Sequence, residues 1–309
     1  MNLYPVFGRL SETLQGNSGK KQDNASATTN VLTIDVEDWY CSSLDLFKDT
    51  PFQHGQKPSP SVVDNTLNAL ELLKKTGNQA TFFILGTVAE HYPDIVKEIL
   101  NSKHEIATHG YCHKLVYHMK PQEFEDDIKI SLEHLNKAGC EQILGYRAPY
   151  WSITKKSLWA LEVLNKLGFK YDSSIFPIRR GLYGIPDAPT YPNKVFSDMW
   201  EFPPATVKFF GLNLPIAGGG YLRIVPYWAI ASAIRNPSQE QIRVFYFHPY
   251  ELDPTDIKLK HRIKYGGTLA YWLQQKIGRQ SNPGKLTKLL LEFKFTSIKE
   301  VLSSLRARI

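Results

Sequence analysis

The chain has 309 residues, 42% of them hydrophobic and 22% charged, with a formal net charge of +7. These values fit a globular protein with a sizeable core and exclude a disordered, collagen-like or disulfide-scaffold chain. Three cysteines, Cys41, Cys112 and Cys140, form no CxxC pair, so neither a disulfide nor a thiolate zinc framework is expected.

Residues 1–30 turn polar from Ser11 onward and lack the apolar stretch of a signal peptide, so a disordered tail is expected. Val31–Asp35 then reads as a strand. Val62 to Thr76 reads as a helix with Val63, Leu67, Leu70 and Leu73 on one face and Gly77 as its stop. Ala80–Leu85 is a strand, Pro93–Asn101 a helix, Glu105–Thr108 a strand and Pro121–Ala138 a helix. Ile143–Tyr146 is a strand. Thr154 is read as the cap of a helix closed by Gly168, and Phe169–Tyr171 as a strand. Phe209 to Ile234 is apolar but fails as a membrane span, because Arg223, Pro215, Pro226 and four glycines interrupt it. Pro226–Arg235 is helical and Arg243–Phe247 a strand. Strands alternating with helices imply an α/β fold built of βα units, and six or seven units suggest a barrel more than an open sheet.

The polar residues that follow these strands carry the chemistry. Asp35, Val36, Glu37 and Asp38 follow the first strand. His109 and His113 follow Glu105–Thr108, Arg147 follows Ile143–Tyr146, Asp172 follows Phe169–Tyr171, and His248 follows Arg243–Phe247. In α/β barrels the C-terminal ends of the strands build the active site. His109 and His113 have the spacing of one helical turn, which would let both grip one metal ion. A carboxylate completes a three-ligand site with an open position for water. On an extended strand Asp35 and Glu37 face the same side, which favours Glu37 as ligand; a turn directly after Asp35 would favour Asp38. The bland reading of this acidic run is a loop cap on the next helix. Cys112 is a soft-ligand candidate whose ordinary role is loop filler. His248 can protonate a leaving group, and Arg147 can pair with Asp35.

In chain order, DVEDW, ATFFILG, HGYCH, RAPYWS, YDSSIFP and FHPYELD resemble the polysaccharide deacetylase family with the NodB homology domain, carbohydrate esterase family 4. The wording is nearest to the branch associated with exopolysaccharide and exosortase gene clusters, whose C-terminal extension follows an HPWELD-like motif. The resemblance runs from about Val31 to about Leu305. It implies a distorted (β/α) barrel that holds one divalent metal, commonly zinc, and removes acetyl from N-acetylated amino sugars of a polysaccharide or lipid-linked glycan precursor. By motif, Asp35 matches the catalytic base and Arg147 the residue that orients it. Glu37 or Asp38 matches the carboxylate ligand, and His109 and His113 the histidine ligands. His248 matches the catalytic acid, and Asp172 falls near the acid that tunes it. Tyr150 sits where a backbone N–H holds the oxyanion. Two positions depart from the pattern. Val36 separates the two acids, and Gly110 stands where a Ser or Thr hydroxyl usually braces the loop.

Tyr150 and Trp151 are the substrate-binding candidates, with Trp39, Tyr40 and Tyr111 close by in sequence. Aromatic rings fit a glycan groove and fit barrel-rim packing equally well. The glycines Gly218, Gly219 and Gly220 permit close approach to a ligand but make no phosphate loop. Competing readings are an amidohydrolase acting on peptidoglycan sugars or a small amide, and a non-catalytic glycan-binding protein. Intact Asp35, His109, His113 and His248 argue against the last.

The domain reading is a tail over 1–30, a barrel over 31–257, and a basic helical extension over 258–309 packed on it. The extension holds twelve lysines and arginines against two glutamates, while residues 1–257 sum to −3. A solvated helical face is the bland account. An anionic membrane surface is the alternative partner, and nucleic acid is not expected because no recognition motif accompanies the charge. The expected location is cytoplasmic, peripheral at the inner membrane surface.

Overall fold

The protein was analysed as a computed structural model that describes residues 29–43, 57–235, 242–255 and 269–307. The expected tail lies almost wholly outside the described residues, as do Lys258, Lys260, Arg262 and Lys264. Among the described residues, no helix is long and apolar enough to cross a membrane.

The first strand, β1 (Thr29–Val36), is buried along nearly its whole length. Its alternating Val, Thr and Ile residues suit a pleated strand covered on both faces, the signature of a parallel sheet. Successive strands β2 (Thr81–Ile84), β3 (Glu105–Thr108), β4 (Gly145–Tyr146), β5 (Tyr171–Asp172) and β7 (Met199–Glu201) line up beside it in parallel. β6 (Asn193–Phe196) runs antiparallel at the far edge, and β10 (Ile242–Phe247) flanks the other side of β1. Beyond β7 the chain turns back to β10. Pro204 bridges Val244, and the Ala205 N–H donates to the Val244 carbonyl at 2.9 Å. The curled sheet is thus a distorted (β/α) barrel, closed by a bridge rather than by a full strand pair. Helices α1 (Ser61–Thr76), α2 (Gly86–His91), α3 (Pro93–Asn101), α4 (Pro121–Lys137) and α5 (Trp159–Lys166) connect the strands.

Local chemistry sets the boundaries. α1 stops where Gly77, at φ 64°, donates its N–H to the Leu73 carbonyl. α5 begins at Trp159, five residues after the expected cap. Ser157 Oγ accepts from the Thr154 N–H and donates to the Ser152 carbonyl, both at 2.9 Å. That hydroxyl stabilises a turn and so delays the helix. The failed membrane candidate contains the end of β8 (Thr206–Phe209), then β9 (Leu212–Pro215), α6 (Gly219–Ile224) and most of α7 (Tyr227–Arg235). Two of its glycines, Gly218 and Gly219, pack against Tyr246 of β10. A Cβ on Gly218 would lie 1.5 Å from the Tyr246 carbonyl oxygen, so the segment crosses β10 at a distance only glycine allows.

The C-terminal segment is built into the barrel. It comprises α8 (Leu269–Lys276), α9 (Asn282–Glu292), β11 (Phe295–Thr296) and α10 (Ile298–Arg306). β11 pairs in parallel with β1, Asn30 opposite Phe295. Ile298, Val301 and Leu302 of α10 pack with Val31, Phe83, Ala107 and Val244 and cover the end of the barrel away from the strands' C-termini. The barrel in turn caps this helix. Thr81 Oγ1 accepts from the Ile298 N–H at 2.9 Å, and Glu105 Oε2 accepts from the Lys299 N–H at 2.8 Å. A carboxylate at a helix N-terminus meets the positive end of its dipole. Leu286, Leu289 and Leu290 are buried, whereas Leu269 and Leu273 are half exposed; the Trp272 side chain lies outside the described residues.

Several of the basic residues have structural partners. Lys285 Nζ donates to the carbonyls of Leu222, Arg223 and Val225, and Lys294 Nζ to that of Thr76. These ammonium groups cap the C-terminal ends of α6 and α1 and are neither a solvated face nor free for a membrane. We expect Leu302→Ala to cost about 2–5 kcal/mol, the range for emptying a buried leucine site. Urea unfolding should show that loss in the single main transition. A separate, earlier transition would mean that the C-terminal segment folds apart from the barrel.

Candidate active site

The strand ends deliver the expected side chains to one buried cluster. Arg147, fully enclosed after β4, is its structural centre. Its Nη1 donates to Asp35 Oδ1 at 2.6 Å and to Thr33 Oγ1 at 2.7 Å. Nη2 donates to Ser173 Oγ at 2.8 Å and Nε to the Ser173 carbonyl at 3.0 Å. Phe83 and Trp151 cover the guanidinium, with ring centroids 4.1 and 4.7 Å away. Burying a cation costs several kcal/mol unless its donors are matched, and here each polar edge has an acceptor.

Glu37 reaches the two histidines. Its Oε2 lies 2.6 Å from His113 Nε2 and 3.4 Å from His109 Nε2, with all three side chains no more than 3% exposed. Burial alone would raise the Glu37 pKa, but His113, His248 and His109 outweigh it and hold the carboxyl well below the usual range. Asp38 points elsewhere. It accepts from Tyr40 Oη at 2.6 Å, the Ser59 N–H at 3.1 Å and Ser61 Oγ at 3.3 Å, and so holds the start of α1. The period-two strand geometry therefore extends through Glu37, and the loop-cap reading describes Asp38.

His109 and His113 do not share a helical turn. The chain bends between them, with Gly110 at φ 77° and His113 at φ 56°, and the rings meet edge to face at 5.3 Å. The brace expected from a hydroxyl at position 110 comes from neighbours. Thr108 Oγ1 accepts from the Gly110 N–H, Ser131 Oγ donates to the Gly110 carbonyl, and Asp127 Oδ2 accepts from the Tyr111 N–H. His109 Nδ1 sits 2.8 Å from the Arg147 carbonyl, which requires the proton on Nδ1 and leaves Nε2 as a lone-pair donor.

Two imidazoles converging on one carboxylate oxygen form a donor set suited to a divalent ion. Cys41 is a neighbour of this set that sequence reasoning missed. The short turn over Trp39–Ser43 folds it back so that the ligand atoms of Glu37, Cys41 and His113 lie within 4.8 Å of one another. Burial and the acids Glu37 and Asp38 push this thiol well up. Cys112 is not a member of that group.

His248 Nε2 lies 3.4 Å from Glu37 Oε1 and 4.0 Å from Asp35 Oδ2. Its partner on the other side is Glu251, not Asp172. Glu251 Oε2 accepts from the His248 N–H at 3.0 Å and lies 3.3 Å from Nδ1. Burial would lower the His248 pKa, yet Glu37, Glu251 and Asp35 together raise it to about 9. The i,i+3 spacing of His248 and Glu251 across a Pro-initiated turn was the available signal. The C-terminal segment braces this turn. Arg279 Nη1 donates to the Tyr250 carbonyl at 2.9 Å, and its guanidinium lies over the Tyr250 ring.

Asp172 faces a different partner, Glu201 of β7. Ser174 Oγ donates to Asp172 Oδ1, and the Ile175 N–H donates to Glu201 Oε1, while Glu201 Oε2 is buried without a hydrogen-bond partner among the described residues. Burial raises Asp172 to about 6, and burial plus the adjacent Asp172 raises Glu201 well above its ordinary range. The pair supports the Arg147 loop, since Ser174 Oγ also accepts from the Ala148 N–H at 2.7 Å.

Tyr150 and Trp151 adopt φ 56° and 54°, strained values for residues with a Cβ. Trp151 is buried between Arg147, Phe176 and Tyr246, so its ring is packing rather than an open sugar platform. Trp39 and Tyr40 are buried as well. Tyr150 is half-buried, its ring edge to face with Tyr183 at 5.5 Å.

Both acids of the Asp172–Glu201 pair bind protons more tightly folded than unfolded. Their contribution to stability is full below about pH 4, the unfolded carboxyl range, and declines as pH rises through about 6. We expect Glu201→Gln, which removes one of the two titrating acids, to shrink the fall in melting temperature between about pH 4 and 7. An unchanged profile would show that protonation of this pair does not contribute to stability.

Comparison with known proteins agrees with this arrangement. Residues 47–171 match the family model for polysaccharide deacetylase, and residues 173–303 match that for a domain of unknown function, DUF3473. Over 130 residues the chain is 32% identical to a peptidoglycan deacetylase of Helicobacter pylori, covering 40% of this chain and 43% of that protein. Over 98 residues it is 37% identical to a peptidoglycan-N-acetylglucosamine deacetylase of Bacillus cereus, covering 31% and 36%. The chain thus spans less than half the length of these curated relatives. A solved Mycobacterium smegmatis structure assigned to the polysaccharide deacetylases superposes with a TM-score of 0.59 at 18% identity, over 94% of each chain. Its likeness bears on the fold. The family match, read with the ordered motifs and the converging site residues, places residues 47–171 in the polysaccharide deacetylase family.

Proposed function

We propose that the protein is a metal-dependent hydrolase that removes N-acetyl groups from amino sugars of a polysaccharide or a lipid-linked glycan precursor. The observation that carries this reading is the single buried cluster in which Glu37, His109 and His113 adjoin Asp35, Arg147 and His248. The names of the relatives, which include peptidoglycan and chitooligosaccharide deacetylases, support the same reaction class.

Glu37, His109 and His113 are the residues that would hold the ion. A divalent metal there supplies a polarised acetyl carbonyl and an acidified water, whose pKa falls from 15.7 towards about 7. Asp35 takes the water's proton. Arg147 holds Oδ1, which leaves Oδ2 on the side of His248 as the basic atom. A backbone N–H at Tyr150 donates to the oxygen that gains charge, the role of an oxyanion donor. His248, kept protonated with help from Glu251, gives its Nε2 proton to the departing amine.

Positioned acids and bases contribute about 10²–10⁴-fold each. We expect Asp35→Asn and His248→Ala to lose at least about 10²-fold in acetate release while retaining zinc. His109→Ala should lose the metal as well. The assay is acetate release from chitooligosaccharides, peptidoglycan and acetylated exopolysaccharides by stripped and zinc-reloaded protein, with metal content measured in parallel. A near-normal rate in Asp35→Asn would overturn the mechanism.

A further inference from the structure

A cleft of about 1230 Å³ opens at Tyr183, whose ring packs on Tyr150 in the turn after Arg147. Its walls are the loop over 177–187, the turn over 154–156 and the β8–β9 hairpin. These walls are pinned together. Asn213 Nδ2 on β9 donates to the Pro177 carbonyl at 2.8 Å, and Lys155 Nζ pairs with Asp187 at 2.7 Å. The 177–187 loop folds tightly on itself. The Ile185 N–H donates to the Phe176 carbonyl, and a Cβ on Gly184 would lie 2.3 Å from the Ile178 carbonyl oxygen.

The charge of this cleft contrasts with its surroundings. Residues 1–257 sum to −3, yet Lys155, Lys156, Arg179 and Arg180 line the cleft and Asp187 is its one acid. Asp187 is taken by Lys155. Among the described residues, Lys156 and Arg179 have no ion-pair partner, and Arg180 spends only Nε, on Tyr221 Oη at 2.9 Å. Tyr221 Oη lies 2.9 Å from Tyr183 Oη, so the guanidinium is held by an ordered phenol pair. Tyr183 lines the cleft and packs on Tyr150, which connects this cationic wall to the turn after Arg147.

From this juxtaposition we propose that the cleft is a subsite for an anionic group, so that the substrate is an acidic N-acetylated glycan whose charge lies on a unit next to the deacetylated sugar. A guanidinium beside an aromatic ring suits a carboxylate or phosphate on a sugar face. The anion is either the carboxylate of a uronic acid or the phosphate of a glycosyl diphosphate. This inference deepens the deacetylase reading and rests on it for the reacting group.

The test measures binding by calorimetry and acetate release on zinc-loaded protein, with three probes. Chitotetraose is neutral, a hyaluronan tetrasaccharide carries carboxylates, and UDP-N-acetylglucosamine carries a diphosphate. At least one anionic probe should bind about tenfold or more tightly than chitotetraose, the effect of one charge-assisted hydrogen bond. That preference should shrink between about 0.02 M and 0.2 M salt. Lys156→Gln with Arg179→Gln, both exposed, should abolish it without changing the melting temperature, and Arg180→Gln should do the same. Which anionic probe binds identifies the source of the charge. Equal or weaker binding of both anionic probes, at either salt concentration, overturns the subsite whether or not acetate is released. Selective anion binding without acetate from any probe sustains the subsite and counts against the deacetylase reading alone.

Discussion

The guanidinium of Arg147, enclosed at the mouth of the barrel, is the charge around which the neighbouring segments are arranged. It holds Asp35 from β1, shares Ser173 with the end of β5, and offers its own backbone carbonyl to His109 from the end of β3. Three strand ends are therefore fixed to one another through one residue. A buried charge of this kind adds little net stability, because desolvation offsets most of what its partners return. Its value is geometric: a shift of any one strand would leave a cation or a carboxylate unmatched in a dry interior.

The supporting structure extends well beyond the first half of the chain. Glu251 steadies His248, and Arg279 steadies the turn that carries Glu251. Glu201 faces Asp172, whose Ser174 neighbour holds the loop after Arg147. The region that matches a domain of unknown function is thus continuous with the catalytic face. It also closes the barrel through Ala205 and covers its far end with α10.

Much of this was legible in the sequence wherever one local period or one strand end decided the outcome. The alternation in Asp35-Val36-Glu37 placed both acids on one side. The residues after each apolar run identified His109, His113, Arg147 and His248. The two histidine rings do meet, but through positive φ at Gly110 and His113 rather than through the helical turn that their spacing suggested. What escaped depended on contacts distant in sequence. Cys41 approaches the donor set only through a short turn, and Asp172 is diverted from His248 by Glu201, 29 residues away. The burial of Trp151 follows from the packing of Phe176 and Tyr246 around it, which no motif encodes.

The position of β1 has a kinetic consequence. This strand precedes by more than 200 residues both β10, which fills one of its edges, and β11, which pairs beside β2 on the other. Until β10 is made, β1 has only β2 to pair with, and the barrel cannot close before residue 247 has left the ribosome. Long-range parallel pairing is slow because loop entropy is lost before contacts form. The nascent chain therefore carries an open, apolar strand edge for most of its synthesis, which makes it a natural client for chaperones that shield such edges.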